Sequence, residues 1–314
     1  MQDINLENQQ KMRSRKTLII DGNNLCHRAF HKFKAMRNDK GENTAAIFGF
    51  PYLLSSLIKL HKPTDVIVAF DGGRDKRRLK VLPTYKERKS KSDFDYEDFK
   101  RQKELIKETL GYLGIPFSSR KDLEADDIIY LYARRASRKG MVIIVSTDKD
   151  FVQLIDEKIS LWNPWKDERI THKNYQKYFK FSPEQCVDYL ALDGDNSDCI
   201  PGYKGMGEKT ITQFLNEFSS ISKFLESKDN FKKIDKKLLE KIYNTNKELI
   251  DIRYFCRKHK IKLKDIPITK ASKVNTTELN LLAAQHSITT FNKPEFINTF
   301  KELSLNVRKR NNPR

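Results

Sequence analysis

Apolar and polar positions along this chain follow two different periods. Three short runs, residues 17–20, 66–70 and 141–147, are built of β-branched and aliphatic side chains, and the third is bounded by Gly140. Their length and composition read as buried strands. Elsewhere the apolar positions recur at helical spacing. Residues 44–60 do so with an interruption at Pro51, which is expected to kink the helix or begin a second one. Residues 94–113 repeat through Phe99, Ile106, Leu110 and Leu113, and residues 124–138 and most of 182–300 follow the same period. Strands separated by helical stretches predict an α/β fold with a central, mostly parallel sheet flanked by helices.

Carboxylates gather where these patterns end. The first two runs terminate in Asp21 and Asp71, and Asp148 and Asp150 follow the third. Ligands of open α/β sheets collect beyond the carboxyl ends of the strands, so a site is expected there. Glu124, Asp126 and Asp127 open the helix that precedes the third run, where free N–H groups favour negative charge. By i,i+3 spacing Glu124 and Asp127 share a face, and Asp126 points elsewhere unless the helix starts late. Either cluster alone is ordinary capping or turn chemistry. Together, acids converging on one sheet edge would repel and raise one another's pKa. Divalent Mg²⁺ or Mn²⁺, which prefers carboxylate oxygen, removes that conflict. A pair of such ions roughly 4 Å apart is a standard clamp for phosphodiester hydrolysis.

Charge narrows the partner. Lys and Arg number 61 against 42 acids, a net +19 and a pI near 9.6 over 314 residues, which suits a polyanion. No apolar run reaches the roughly 20 residues that span a bilayer, and there is no signal peptide, so nucleic acid leads as partner and no membrane is expected. Cys26, Cys186, Cys199 and Cys256 show no metal-binding spacing and fit a reducing cytoplasm. Residues 1–16 read as a flexible arm and 306–314 as a basic tail. The run 74–91, with Arg74, Lys76, Arg77, Arg78, Lys80, Lys86, Arg88, Lys89 and Lys91, carries Leu82 and Tyr85 among its charges. It is read as part of a mobile basic arch over residues 74–100.

Further along, Trp162 and Trp165 flank Pro164 in what reads as a buried turn, with base stacking as the alternative, and Arg28 lies one helical turn past the first strand. Ser182-Pro183-Glu184 opens a helix. Asp195 and Asp198 then fall in a Gly- and Pro-bounded loop suited to wrapping a cation. Gly205-Met206-Gly207 precedes Lys209 and Thr210 at the start of another helix, so 184–218 reads as a helix-hairpin-helix whose bare N–H groups meet a phosphate.

With these residues in order, the chain resembles the 5′ nuclease family: flap endonucleases, phage 5′→3′ exonucleases of the RNase H type, and the 5′ nuclease domain of DNA polymerase I. The resemblance covers roughly residues 16–220. It rests on Asp21-Gly22, Asp71, Arg78 with Tyr85-Lys86, Glu124-Ala125-Asp126-Asp127, Thr147-Asp148-Lys149-Asp150, Gly194-Asp195 with Ser197-Asp198, and Gly205-Met206-Gly207. It implies an α/β nuclease core over 17–181 with a helical arch, and a helical DNA-binding region over 182–305. It also implies two metal positions, one served by Asp21, Asp71, Glu124 and Asp126, the other by Asp148, Asp150, Asp195 and Asp198, with Asp127 nearby. A K⁺ ion at the hairpin belongs to the same pattern.

Lys86 and Arg78 would steady the scissile phosphate. Arg28, Arg77, Tyr85, Arg88, Lys89, Gly205, Gly207, Lys209 and Thr210 would meet DNA. Cys199 stands where the family commonly has Asn, and Lys89 where it has Arg. With no polymerase sequence following, a free-standing, monomeric nuclease is expected in a bacterial or phage-infected cytoplasm. It would act on branched or 5′-ended duplex DNA and RNA–DNA hybrid, in primer removal beside replication proteins. The competing readings are a non-catalytic binder of branched DNA and an RNA-processing nuclease.

Overall fold

The computed structural model describes residues 15–87 and 95–311. Six strands form one sheet: β1 (Lys16–Asp21), β2 (Asp65–Ala69), β3 (Phe117–Ser118), β4 (Met141–Val145), β5 (Ile159–Asn163) and β6 (Glu168–Ile170), in the order β3-β2-β1-β4-β5-β6. The first five are parallel, and β6 closes the edge by antiparallel pairing with β5. Parallel strands buried on both faces should be apolar throughout. Leu18, Ile20, Val66, Val68, Ile143 and Val145 face one layer, while Ile19, Ile67, Val142 and Ile144 face the other.

The first layer holds α1 (Gly22–Lys32), α2 (Ala45–His61) and α4 (Tyr96–Tyr112). Pro51 neither breaks nor divides α2, which is one continuous helix. Short α3 (Lys76–Val81) precedes α4, and α5 (Ala125–Ser137) packs on the second face. On that same face lie α6 (Cys186–Asp193), α7 (Glu208–Phe218), α8 (Ile221–Glu226), α9 (Lys236–Ile250) and α10 (Ile252–Lys258). The last two helices, α11 (Thr276–Gln285) and α12 (Pro294–Asn311), return to the first face, where Leu279, Phe291, Phe296 and Phe300 join the core. The region expected as one helical block over 182–305 is therefore divided between the two faces of the sheet. The backbone helix also continues to Asn311, into the stretch expected as a free tail.

Chain order makes this topology functional. From β1 the chain moves outward to β2 and β3, then crosses back to β4 on the other side of β1. The crevice between β1 and β4 is a topological switch point. Asp21 ends β1, and Ser146, Thr147 and Asp148 leave β4 beside it. Gly22 matters here for contact. A Cβ on it would stand 2.6 Å from the Ala69 carbonyl oxygen, so only glycine lets α1 start so close to β2.

Candidate active site

Asp21 caps α1 by accepting the Asn24 N–H at 3.0 Å, and the Ser146 hydroxyl donates to its other oxygen at 2.7 Å. The same Ser146 oxygen accepts the Asp148 N–H at 3.1 Å, so one hydroxyl ties the ends of β1 and β4 together. Asp71 accepts the Ala125 N–H at 2.7 Å, docking the end of β2 onto the start of α5, and Asn23 also donates to it. Asp148 in turn caps the short 3₁₀ turn Lys149–Leu154 by accepting the Asp150 N–H at 2.9 Å.

The helix expected to begin at Glu124 begins one residue later, with Glu124 as its N-cap. The docking of α5 on the sheet then divides the acids between cleft and core. Asp126 turns toward Asp148, whose charge helps raise its pKa, while Asp127 turns into the core. Glu124 is buried. One of its oxygens accepts from Tyr85 OH and from Lys86 Nζ, both at 2.9 Å, and the other is buried without a partner. Lys86 Nζ also lies 3.6 Å from Asp198. In the facing loop Asp195 accepts the Ser197 and Asp198 N–H groups and stands 3.5 Å from Lys149 Nζ. A cleft of about 900 Å³ opens beside Asp71, Lys86, Glu124 and Asp198.

The electrostatics are those of crowded acids. Burial, followed by repulsion from Asp71 and Asp148, pushes Asp21 to about 7 despite its two hydrogen bonds. Burial also raises Asp198 to about 6, with Asp195 and Glu124 adding repulsion that Lys86 opposes. Burial and then the Asp148 charge raise both Asp126 and Asp150 well above the carboxylate range. Glu124 differs. Burial opposes its charge, yet Arg78 and Lys86 hold it below its usual value. For Lys86 burial likewise opposes the charge, but Glu124, together with Tyr85, Asp126 and Asp198, outweighs it and holds the ammonium pKa above its usual range.

Among the described residues no three acids stand in the geometry that would hold a metal ion. The donor set is nonetheless oxygen-rich and mutually repelling, and the buried Glu124 oxygen has no partner. Both properties fit a hard divalent cation.

Two family models match the chain. One is the N-terminal resolvase-like domain of 5′-3′ exonuclease, over residues 16–181, and the other is the C-terminal SAM fold of 5′-3′ exonuclease, over 181–273. The chain belongs to the 5′-3′ exonuclease family. It is 34% identical to a 5′-3′ exonuclease of Aquifex aeolicus over 261 residues, covering 81% of this chain and 89% of that one. It is 32% identical to DNA polymerase I of Bacillus subtilis over 93% of this chain, and so spans only 32% of that polymerase. The flap endonuclease of bacteriophage T5, solved with DNA and metal ions, shares the fold at a TM-score of 0.64 and 19% identity, covering 93% of this chain and all of that one (100%).

Family membership makes the chain a 5′ nuclease, and several residues expected at its site lie elsewhere. Arg78 is almost fully buried. Its guanidinium grips both oxygens of Asp127 at 2.8 and 3.0 Å and stacks over Phe255 at 3.7 Å, so it cannot reach a phosphate in the cleft. Asp127, expected near the metals, has both oxygens on Arg78 and faces the core. Arg77 is spent on Asp75 and the Asp122 carbonyl. Tyr85 is buried with its hydroxyl on Glu124, which corrects its expected DNA contact. Arg88 and Lys89 lie outside the described residues.

Two further expectations are resolved by exposure. Trp162 is buried, but Trp165 is 57% exposed, correcting the buried turn, and Arg28 lies over its ring at 5.9 Å. Met206 is buried beneath the hairpin while Gly205, Gly207 and Lys209 face solvent and Thr210 is partly covered. Gly207 caps α7 with no side-chain hydrogen bond, and Gly205 has φ +87° with open space beside it.

Sequence reading missed Ser146, Asn23 and Asn24. The signal for Ser146 was a small polar residue directly after an apolar strand. Which acid it would bind depends on sheet order, and that lies beyond local pattern.

Proposed function

We propose that this 5′ nuclease uses two divalent cations, Mg²⁺ with Mn²⁺ able to substitute, to cut phosphodiester bonds at 5′ ends or flaps beside duplex DNA, including RNA primers. The reading rests on one observation: Glu124 and Asp198, from two separate segments, converge on Lys86 in a cleft that Asp71 also lines, and the buried Glu124 oxygen among them lacks a partner. Asp21, Asp71, Glu124 and Asp126 would hold one ion, and Asp148, Asp150, Asp195 and Asp198 the other. Bound there, the cations supply a nucleophilic water at neutral pH and neutralise the departing 3′-oxygen.

The chain's own residues do the rest. Ser146 fixes Asp21 and Asp148 in register across the switch point. Lys86, ionised and poised between Glu124 and Asp198, places positive charge where the phosphate must lie. The exposed α7 start, with free N–H groups behind Gly207, holds the duplex through its backbone and positions it without reading sequence. A K⁺ ion at the hairpin, action as a monomer, and work beside replication proteins in the cytoplasm complete the reading.

The deciding experiment uses end-labelled flap, nicked and RNA–DNA substrates with and without Mg²⁺. Metal-dependent release of the flap or of short 5′ products is expected. Tight flap binding with no cleavage in Mg²⁺ or Mn²⁺ would leave only a branched-DNA binder.

A further inference from the structure

At the opposite end of α5 from Glu124 and Asp126 lies a second charged cavity. The helix is 13 residues long, which puts its two ends about 20 Å apart. The cavity, about 680 Å³, is lined by Arg134 and Arg135 of α5, by Arg138 that caps its end, and by Arg253 and Arg257 of α10, with Leu131 also in the lining. Arg134 pairs with Asp156 at 3.2 Å. Among the described residues the other four guanidiniums make no ion pair, and all are exposed.

Arginine is the minority cation of this chain, at nineteen of the 61 basic residues, yet it supplies every charge in the cavity. Its planar fork binds carboxylates and phosphates bidentately, which lysine cannot do. Placement near helix C-termini favours cations through the dipole, but that leaves unexplained why two helices aim five of them into one hollow.

A smaller cavity adjoins it. About 230 Å³ in volume, it shares Arg135 and is mainly apolar, with Pro116, Ala136 and Ile268 (45% exposed) among its walls, although Arg15, Asp65 and Lys139 also line it. Basic and apolar cavities thus meet at one residue, on the end of the molecule away from the cleft. A duplex backbone offers charge but no apolar group for the second cavity. An acidic peptide bearing an aliphatic side chain offers both.

We propose that this end of the molecule docks an acidic peptide segment of a partner protein, with its carboxylates on the arginines and an aliphatic side chain in the adjoining cavity. The inference is independent of the metal chemistry, because none of these residues touches the cleft.

The test measures fluorescence anisotropy of a labelled peptide, a run of aspartates ending in leucine, against the full chain. Arg135→Glu with Arg257→Glu should weaken peptide binding by about tenfold or more, while flap-DNA affinity and single-turnover cleavage hold at wild-type values. Ile268→Asp, which leaves the arginines in place, should weaken the peptide as well, and replacing the leucine by serine should do the same. Absence of peptide binding, or equal binding by the charge-reversed chain, would overturn the proposal. A parallel loss of flap-DNA affinity would overturn it too, by making this surface a track for nucleic acid. Indifference to both the Ile268 and leucine changes would remove the peptide-specific part and count against it.

Discussion

Arg78 and Asp127 form a bidentate pair, 2.8 and 3.0 Å, wholly removed from water between α3 and α5. The pair lies one residue from the cleft acid Asp126 but serves the fold, pinning the basic segment against α5 and the Phe255 ring. Breaking a buried pair by removing one partner costs about 3–5 kcal/mol, because the other charge is stranded. Arg78→Ala should therefore lower the unfolding free energy by that amount, read as a lower urea midpoint at unchanged slope. Replacing both partners with apolar residues of similar volume should recover most of it. Full stability in Arg78→Ala would return Arg78 to the surface role that its sequence context suggested.

Lys86 separates chemistry from binding. Its ammonium lies 2.9 Å from Glu124 and 3.6 Å from Asp198. Lys86→Ala should slow single-turnover flap cleavage by about 10², the usual cost of one lost electrostatic contact, while flap affinity changes far less. Lys258 is an instructive control: it is exposed and pairs with Glu248 at 2.6 Å on the surface. Lys258→Ala should leave the cleavage step unchanged. Small and equal effects at both positions would mean that Lys86 is only a solvated charge.

Metal dependence should shift with pH in a defined direction. Asp21 at about 7 and Asp198 at about 6 still hold protons at pH 6, and a cation must displace them. The half-saturating Mg²⁺ concentration should therefore rise as pH falls from 8 to 6, by up to about tenfold per pH unit for each proton displaced. Excess Mg²⁺ should recover much of the lost rate. Chelation should abolish cleavage at every pH. Asp148→Asn should cut turnover severely and leave DNA affinity intact, since it removes negative charge near a polyanion. A half-saturating concentration that stays flat across this range would contradict the assignment.

The two hairpin glycines should respond differently. Gly205 sits at φ +87°, so Gly205→Ala should strain the backbone, at about 1 kcal/mol. Gly207 has an ordinary φ of −91° and open space around it. Gly207→Val should fold normally, yet weaken duplex binding by blocking backbone approach at the start of α7. In the unaltered chain, log affinity against log salt should fall with a slope of about −0.9 per neutralised phosphate. A flat salt response, or wild-type duplex affinity in Gly207→Val, would move the duplex away from this hairpin.

Cys199 carries a cost that the fold reveals. It adopts φ +58°, a region that asparagine tolerates better than cysteine. In return its thiol makes only a weak 3.6 Å contact to the Glu87 carbonyl. Cys199→Asn should raise stability by up to about 1 kcal/mol, read as a higher urea midpoint, with cleavage unchanged. A lower midpoint would show that the thiol contact outweighs the backbone strain.

The sequence by itself determined three of the six strands, β1, β2 and β4, because a run such as Val66-Ile67-Val68-Ala69 is apolar at every position and can only be buried on both faces. The two-residue β3 and the pair β5 and β6, interrupted by Ser160 and Arg169, carried no such run. It also determined that Asp21, Asp71 and Asp148 would share one edge, since parallel strands present their carboxyl ends together. Helical period sufficed for the long helices except at Pro51, where the expected interruption is overridden because burial of eleven other positions of α2 outweighs one lost hydrogen bond. Tertiary structure decided which charges are available. Arg78, Arg77 and Tyr85 look like surface residues in a basic run; only packing against Asp127 and Glu124 buries Arg78 and Tyr85, and only the fold commits the partly exposed Arg77 to Asp75. Successive residues of a helix point about 100° apart, and only the docking of α5 on the sheet decided that Asp126 faces the cleft and Asp127 the core. Sheet order alone brought Ser146 to Asp21, and the α5–α10 contact alone gathered five arginines from two distant stretches into one cavity.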